Sequence, residues 1–233
     1  MPRQLRLYKV FKIVETPPKL EDYIYVNALS WFPNNYLTVN DTKIPTYQLS
    51  PYHLKDENGF IFENLWQGSK IYPSVFKQDQ WIKNKSIWAH PAETHIDLEG
   101  NVLPAYWDWR QKVFSNPFPV RYPNGYDGKK TCVGFITSNY EFLSYIEARK
   151  QFYVREFARL VQQTPAFKAL KEVFDSGVNL QMCDVDVPQV SEGFIPTKDL
   201  FIKFVNDPNS SFGHVWVIAA LLLDWDVDEL IKD

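Results

Sequence analysis

The period of the hydrophobic positions changes along the chain, and each period predicts a different element. Over residues 5–14 the apolar positions follow the two-residue period of a strand, and a second strand is expected to begin at Tyr23. Residues 36–60 predict short extended pieces joined by turns. Residues 73–135 have no long period and are rich in Trp, Pro and polar residues, so they predict a loop-rich insert with short strands.

Helical patterns occur before and after this insert. Residues 61–72 predict an amphipathic helix that ends before Pro73, because proline is excluded from helix interiors. Ser138 and Glu141 form a Ser-x-x-Glu capping box, which predicts a helix from there to about Gln162.

The C-terminal part continues with a helix, a strand and a final helix. Thr164 and Pro165 provide an N-cap and a first-turn proline, and Gly177 provides a stop. Residues 178–187 predict a strand. Residues 213–223 are apolar on nearly every side, which is typical of a buried helix.

Together these elements predict an α+β fold in a single compact domain spanning residues 1–233, with short strands, several packed helices and a buried C-terminal helix. The length of 233 residues is ample for a hydrophobic core, and 45% hydrophobic with 23% charged residues is an ordinary globular composition. The aromatic content of 16% is higher than a core alone needs. These rings either thicken the packing or offer stacking surfaces to planar ligands such as bases.

Charge and cysteine content narrow the class of protein. The net charge is −3 and no Lys/Arg block is present, which argues against nonspecific binding of long nucleic acids and favours a free nucleotide or a modified base. Two cysteines are too few for a disulfide scaffold or a zinc cluster. The first thirty residues lack a continuous apolar core, and the longest apolar run is shorter than a membrane span. We therefore expect an intracellular, cytoplasmic protein without membrane association.

Three polar residues in the predicted helix at 61–72 are candidates for chemistry. Glu63, Gln67 and Lys70 are spaced at i, i+4 and i+7 and share one helical face. The alternative is that this face is simply the solvated side of an amphipathic helix.

The same residues belong to a block that resembles a known family. Residues 49–52 (Leu-Ser-Pro-Tyr), 58–60 (Asn-Gly-Phe) and 62–70 (Phe-Glu-Asn-Leu-Trp-Gln-Gly-Ser-Lys) resemble the opening block of the NADAR/YbiA-like N-glycosidases. That family has Leu-Ser, an aromatic residue, a glycine-bearing turn, then Glu, three residues, Gln, two residues and Lys. Pro-Tyr stands where the family has Asn-Phe, and Asn64 stands where it has His.

This resemblance implies cleavage of a C1–N glycosidic bond in an ADP-ribose or nucleotide-like compound, such as an ADP-ribosylated nucleic-acid base. It implies that Lys70 is the nucleophile and that Glu63 moves a proton or holds a ribose hydroxyl. A lysine present as the free amine can attack an anomeric carbon and form an imine that water resolves. Such a reaction requires neither a metal nor an organic cofactor.

Two acidic residues end the predicted strand at 178–187. Asp184 and Asp186 share a strand face with Leu180 and Met182, which suggests that the strand emerges at the edge of a cleft. One Asp would then serve as general acid or base, or orient the ribose. A strand that exits into solvent is the equal alternative. The family has a similar Leu-x-x-acidic pattern at the corresponding place.

Other segments predict substrate contacts. The small polar loop ending in Gly213 and His214 precedes a helix and so suits an anion, although an ordinary capped loop explains it better. Arg beside aromatic residues suits a phosphate and a base. The predicted substrate-binding residues are Gln67, Trp66, Ser50, Tyr52, Trp107, Arg121, Gly213 and His214.

The segment 90–95 contains His90, Glu93 and His95 and raises the question of a metal site. Pro91 breaks the helical geometry of the usual zinc motifs, so we expect no metal there. Two other classes of function compete with the enzyme: a non-catalytic module that binds a nucleotide or modified base, and an interaction protein whose aromatic surface packs against a partner.

Overall fold

A computed structural model describes residues 3–10, 20–29, 36–39, 41–75, 92–120, 131–187 and 193–232. Helices and short strands are interspersed along the chain, which confirms the predicted α+β class. The chain divides into two compact units: the discontinuous unit, residues 1–54 with 153–233, and the central unit, residues 55–152. The prediction of one domain over residues 1–233 stays a prediction.

The strands in chain order are β1 (Leu5–Lys9), β2 (Tyr23–Asn27), β3 (Leu37–Val39), β4 (Thr42–Ile44), β5 (Lys70–Ile71), β6 (Ser74–Val75), β7 (Glu93–Thr94), β8 (Gly134–Ile136), β9 (Phe142–Leu143) and β10 (Asn179–Asp184). The helices are α1 (Phe62–Gly68), α2 (Pro104–Phe114), α3 (Tyr145–Ala148), α4 (Arg155–Val161), α5 (Pro165–Asp175), α6 (Lys198–Asn206), α7 (His214–Leu222) and α8 (Val227–Leu230). A 3₁₀ turn covers Thr46–Leu49 and a π-helical turn covers Arg149–Val154.

A three-stranded parallel sheet organises the discontinuous unit. Its strand order is β1-β10-β2, with Met182 of the central strand beside Leu7 on one side and Val26 on the other. A central parallel strand is covered on both faces, and β10 is accordingly buried from Leu180 to its end. Helix α7 packs against β10 and is buried along nearly its whole length, which confirms the predicted buried helix.

The central unit has its own core between a small antiparallel sheet and two helices. The sheet order is β5-β8-β9, and α1 packs against α2. A Cβ on Gly68 would lie 2.8 Å from the Phe114 ring, so a larger residue at this close approach would require the ring to shift. The core cluster contains Ile71, Tyr72, Val75, Tyr106, Trp109, Val113, Val120 and Ile136.

Two predicted helices differ from the structure. The helix predicted at 61–72 ends at Gly68, because the chain turns at Ser69 and continues as β5. The box predicted at Ser138 and Glu141 lies in the turn between β8 and β9. The real capping box is Ser144 with Glu147, which starts α3 six residues later.

The predicted loop-rich insert at 73–135 contains the eleven-residue helix α2, which the sequence pattern did not predict. The N-cap at Thr164 is confirmed, since its side chain accepts a hydrogen bond from Phe167 N, and Gly177 follows α5 at φ +98°. The predicted strand at 178–187 is shorter, and residues 11–14 of the first predicted strand lie outside the described residues. Within the described part of the chain, every helix is too short or too polar to cross a bilayer.

Candidate active site

Glu63, Gln67 and Lys70 form a hydrogen-bonded chain inside the central unit. Gln67 Nε2 donates to Glu63 Oε1 at 2.9 Å, and Lys70 Nζ donates to Gln67 Oε1 at 3.0 Å. Glu63 is 7% exposed and Lys70 is 5% exposed, whereas Gln67 is partly exposed. The burial of the two charged residues contradicts the alternative in which they form a solvated helix face.

The end of α1 brings Lys70 to this position from a strand. Ser69 O accepts hydrogen bonds from Tyr106 Oη at 3.1 Å and from Ile136 N at 2.9 Å. These bonds satisfy a carbonyl at the helix C-terminus and allow the chain to leave the helix. Lys70 then pairs with Phe135 of β8, so its backbone is fixed by the sheet.

Two aromatic rings lie close to the amino group of Lys70. Its Nζ lies 4.5 Å from the ring centroid of Trp66 and 5.8 Å from that of Tyr145, and the two centroids are 5.9 Å apart. Both rings lie within the distance at which the face of an aromatic ring attracts a cation. Trp66 is itself buried and also packs against Phe135, so its ring forms a wall of the lysine site.

Tyr145 is close to two cationic side chains. The Arg149 Cζ is 4.9 Å from the Tyr145 ring centroid, and Arg149 is 3% exposed. Burial alone would raise the pKa of Tyr145, but the charges of Lys70 and Arg149 and a hydrogen bond from Arg149 outweigh it, so the pKa is lowered from its ordinary value.

Two further titratable groups lie near the lysine site. Burial raises the pKa of the Cys132 thiol, and the Lys70 charge opposes this change. Burial also raises the pKa of Tyr72 well above its ordinary value, with Cys132, Tyr145 and Glu63 adding to the rise. Tyr72 is therefore a neutral phenol beside the site.

Arg110 and Trp107 form a second group in the central unit. Arg110 is buried, and its Nη2 donates to Thr137 O at 3.0 Å. Its Cζ lies 5.6 Å from the ring centroid of Trp107, which in turn packs 5.5 Å from the ring of Tyr140. Burial lowers the pKa of Arg110 from its ordinary value. Among the described residues, the rings near Lys70 Nζ are those of Trp66 and Tyr145, not that of Trp107.

Asp184 lies in the discontinuous unit at the carboxyl end of β10. It is 2% exposed, and its Oδ1 accepts a hydrogen bond from Val185 N at 2.7 Å. Asp186 is exposed in the turn that follows the strand. A Cβ on Gly213 would lie 2.7 Å from Asp186 Cβ and 2.9 Å from Asp184 Oδ2. Gly213 therefore allows the start of α7 to approach both acidic residues.

The ring of His214 connects three elements of this unit. Its Nε2 donates to Ala28 O, the residue after β2, at 2.7 Å, because a carbonyl oxygen can only accept. Its Nδ1 lies 3.4 Å from Asp184 Oδ2. Both ring nitrogens are directed at protein oxygens, so His214 stabilises the meeting of β2, β10 and α7.

The remaining predicted residues have simple placements. Ser50 is buried, and its Oγ accepts a hydrogen bond from Tyr52 N at 3.1 Å, which stabilises a turn. Tyr52 is partly buried. Arg121 lies outside the described residues.

In the segment considered for a metal, His90 is also outside the described residues. His95 is buried with its Nε2 3.6 Å from Glu93 Oε2. Among the described residues, no group of three His, Cys, Asp or Glu side chains is arranged to hold a metal ion.

The structure therefore brings Glu63, Gln67, Lys70 and Trp66 together in the central unit. Comparisons of the chain with models of protein families, with curated proteins and with solved structures find no match. The resemblance to the NADAR/YbiA-like family accordingly stays a prediction based on the block at 49–70.

Sequence reasoning missed Tyr145 and Arg149, which complete the surroundings of Lys70. The sequence did contain a signal for this helix. Ser144 and Glu147 match the Ser-x-x-Glu pattern of a capping box, as do Ser138 and Glu141 six residues earlier. A helix started there places Tyr145 in the first turn and Arg149 one turn later on the same face.

Proposed function

We propose that this protein is an N-glycosidase that cleaves the C1–N bond of an ADP-ribose or nucleotide-like substrate with Lys70 as the nucleophile. The observation that carries the proposal is the buried amine of Lys70, whose hydrogen-bond acceptor among the described residues is the neutral amide of Gln67, which in turn donates to Glu63. A direct ion pair would hold the lysine as the ammonium ion, and the Gln67 amide separates the two charges.

The reaction proceeds by covalent catalysis. The lone pair of Lys70 Nζ attacks C1 of the ribose, and the C1–N bond breaks with its electron pair on the departing base. Opening of the ribose ring gives an imine between C1 and Lys70, and water adds to this imine to release the sugar. The lysine is then regenerated.

Glu63 supplies the proton transfer in this scheme. It is one amide away from Lys70, and a carboxyl group at this place can protonate the departing nitrogen and later activate water. Asp184 and Asp186, which lie in the discontinuous unit, stay predicted acid–base partners. The reaction needs no metal or organic cofactor, and we place it in the cytoplasm, on an ADP-ribosylated base or a free nucleotide.

A turnover assay tests this function. Release of ADP-ribose from an ADP-ribosylated nucleoside is measured for the wild type, Lys70→Met and Lys112→Met, the last being an exposed lysine of the central unit. We expect Lys70→Met to fall to the uncatalysed rate and Lys112→Met to match the wild type. Equal release by Lys70→Met and wild type would exclude Lys70 as the nucleophile.

One observation favours a second candidate, a module that binds a nucleotide without turning it over. The rings of Trp66 and Tyr145 stabilise a cationic lysine, which suits attraction of a phosphate better than nucleophilic attack. This candidate predicts that ADP-ribose raises the melting temperature of the wild type while no release is detected.

A further inference from the structure

The proposed reaction needs a base that removes a proton from Lys70, and Glu63 is not placed to be that base. The lysine must lose a proton before its nitrogen can attack C1. Glu63 contacts the amide of Gln67, and an amide nitrogen and oxygen do not relay a proton at a useful rate. Another side chain near the amine must therefore accept the proton from Lys70.

Tyr145 is the titratable side chain whose ring lies near that amine. Its ring centroid is 5.8 Å from Lys70 Nζ, and the Trp66 ring lies 4.5 Å from the same nitrogen and 5.9 Å from the Tyr145 ring. Arg149 donates a hydrogen bond to the Tyr145 side chain and lies over its ring, one turn along the helix. A phenolate formed here faces the side chains of Lys70 and Arg149.

The backbone holds Tyr145 in place. Ser144 caps α3 through reciprocal bonds with Glu147, which fixes the first helical residue. The helix then widens into the π-helical turn Arg149–Val154, a distortion that often accompanies functional sites.

We infer that Tyr145 acts through Lys70, its phenolate oxygen accepting a proton from the Lys70 ammonium group so that the amine is available to attack. This inference rests on the proposed N-glycosidase function. Tyr145 is a positioning residue in this scheme, since the bond to the substrate forms at Lys70. The transfer is balanced: Lys70 loses one proton, Tyr145 gains it, and it returns to the amine when water releases the product.

The neighbouring titratable groups are consistent with this role. Among the described residues, those acting on Tyr145 are Lys70 on β5, Arg149 on the following turn and Cys132 before β8, and Tyr145 in turn acts on Tyr72 after β5. The two cations lower the pKa of Tyr145, whereas burial keeps Cys132 and Tyr72 protonated. Tyr145 is thus the phenol of this cluster whose proton is most easily lost.

The first test is the pH dependence of imine formation. ADP-ribose is trapped on the full-length protein with cyanoborohydride, and the rate is compared for the wild type, Tyr145→Phe and Tyr140→Phe, an exposed tyrosine outside the cluster. We expect Tyr145→Phe to react at least about tenfold more slowly at neutral pH. Its rate should rise to the wild-type rate at high pH, where hydroxide removes the proton instead. Tyr140→Phe should follow the wild-type profile.

Three results of this test would overturn either the role of Tyr145 or the proposed function on which it rests. An equal loss of rate at every pH in Tyr145→Phe would indicate a merely structural role, and an unchanged profile would indicate no role. The absence of any adduct on the wild type would contradict the proposed function instead.

A second measurement tests, without any reaction, whether the amine of Lys70 affects the pKa of Tyr145. The Tyr145 side chain is titrated by NMR with isotope-labelled tyrosine in the wild type and in Lys70→Met. We expect the pKa of Tyr145 to rise when the amine is removed. An identical titration in both proteins would overturn the inference whether or not an adduct forms.

Discussion

Gln67 is the residue that separates the charges of the site. Its amide accepts from Lys70 at 3.0 Å and donates to Glu63 at 2.9 Å. Gln67→Glu places a carboxylate directly beside the lysine, which favours the ammonium form. We expect turnover to fall at least about tenfold at neutral pH and to recover as the pH is raised. Gln111→Glu, an exposed site on α2, is the matched control. A fully active Gln67→Glu protein would show that the amide has no such role.

Asn64, next to Glu63 on α1, has a structural role. Its Nδ2 donates to Asn116 O at 2.9 Å and Phe118 O at 3.1 Å, and its Oδ1 accepts from Val120 N at 2.6 Å. Asn64→Asp keeps the shape of the side chain but removes its two N–H donors, and it places a negative charge beside the carbonyl oxygens of Asn116 and Phe118. We expect a loss of about 2–4 kcal/mol in the free energy of unfolding, measured by urea denaturation. The control Asn139→Asp, at an exposed position, should leave the free energy of unfolding unchanged. An equal loss in both variants would contradict this structural role of Asn64.

Besides Trp66, which was predicted to contact the substrate, sequence spacing predicted three members of the site, and two further members were missed. Glu63, Gln67 and Lys70 were found because their spacing places them on one side, even though Lys70 in fact belongs to a strand. Their burial could not be predicted, because the residues that cover them come from distant parts of the chain. Tyr145 and Arg149 were missed because the capping box was predicted six residues too early, and their contact with Lys70 could not be predicted from local sequence.

The capping box of α3 links a local signal to the site. Ser144 accepts from Glu147 N, and Glu147 accepts from Ser144 N at 2.7 Å. Ser144→Ala should lower the free energy of unfolding by about 1 kcal/mol, and it should loosen the turn that holds Tyr145. Ser138→Ala, the position wrongly predicted as the cap, should leave stability unchanged. Chemical denaturation of both variants checks this pair, and the reverse order of effects would favour the box at Ser138.

Helix α2 shows why an element can be hidden in the sequence. Its buried positions are Tyr106, Trp109, Arg110 and Val113, which follow helical spacing. One of them is an arginine that reaches Thr137 O from inside the unit, so the apolar stripe is interrupted. Its N-cap, Leu103, has no capping side chain, so the first-turn proline Pro104 is not accompanied by the usual capping residue.

At the scale of the whole molecule, the central unit is one continuous stretch of chain. The core cluster and the residues seen to contact Lys70 in the described part of the chain belong to residues 55–152. A unit with its own core can fold alone. We expect a fragment of residues 55–152 to unfold in one cooperative transition and to keep the lowered pKa of Tyr145, measured by denaturation and NMR. A fragment that shows no cooperative transition would contradict this expectation.

The α+β class could be predicted because it depends on local periods, which most elements retain. The grouping of residues 1–54 with residues 153–233 in one unit could not be predicted from the sequence. It depends on parallel pairing of β10 with β1 and β2, and no local pattern indicates which distant strands pair or in what register. The buried helix α7 was predictable because its apolar circumference requires a covered environment.

The central claim is that Lys70 forms an imine with the sugar, and trapping tests it most directly. The wild type, Lys70→Ala and Lys112→Ala are incubated with ADP-ribose and borohydride, and their intact masses are measured. We expect one stable adduct on the wild type and on Lys112→Ala, and none on Lys70→Ala. An adduct that persists in Lys70→Ala, or no adduct on the wild type, would contradict it.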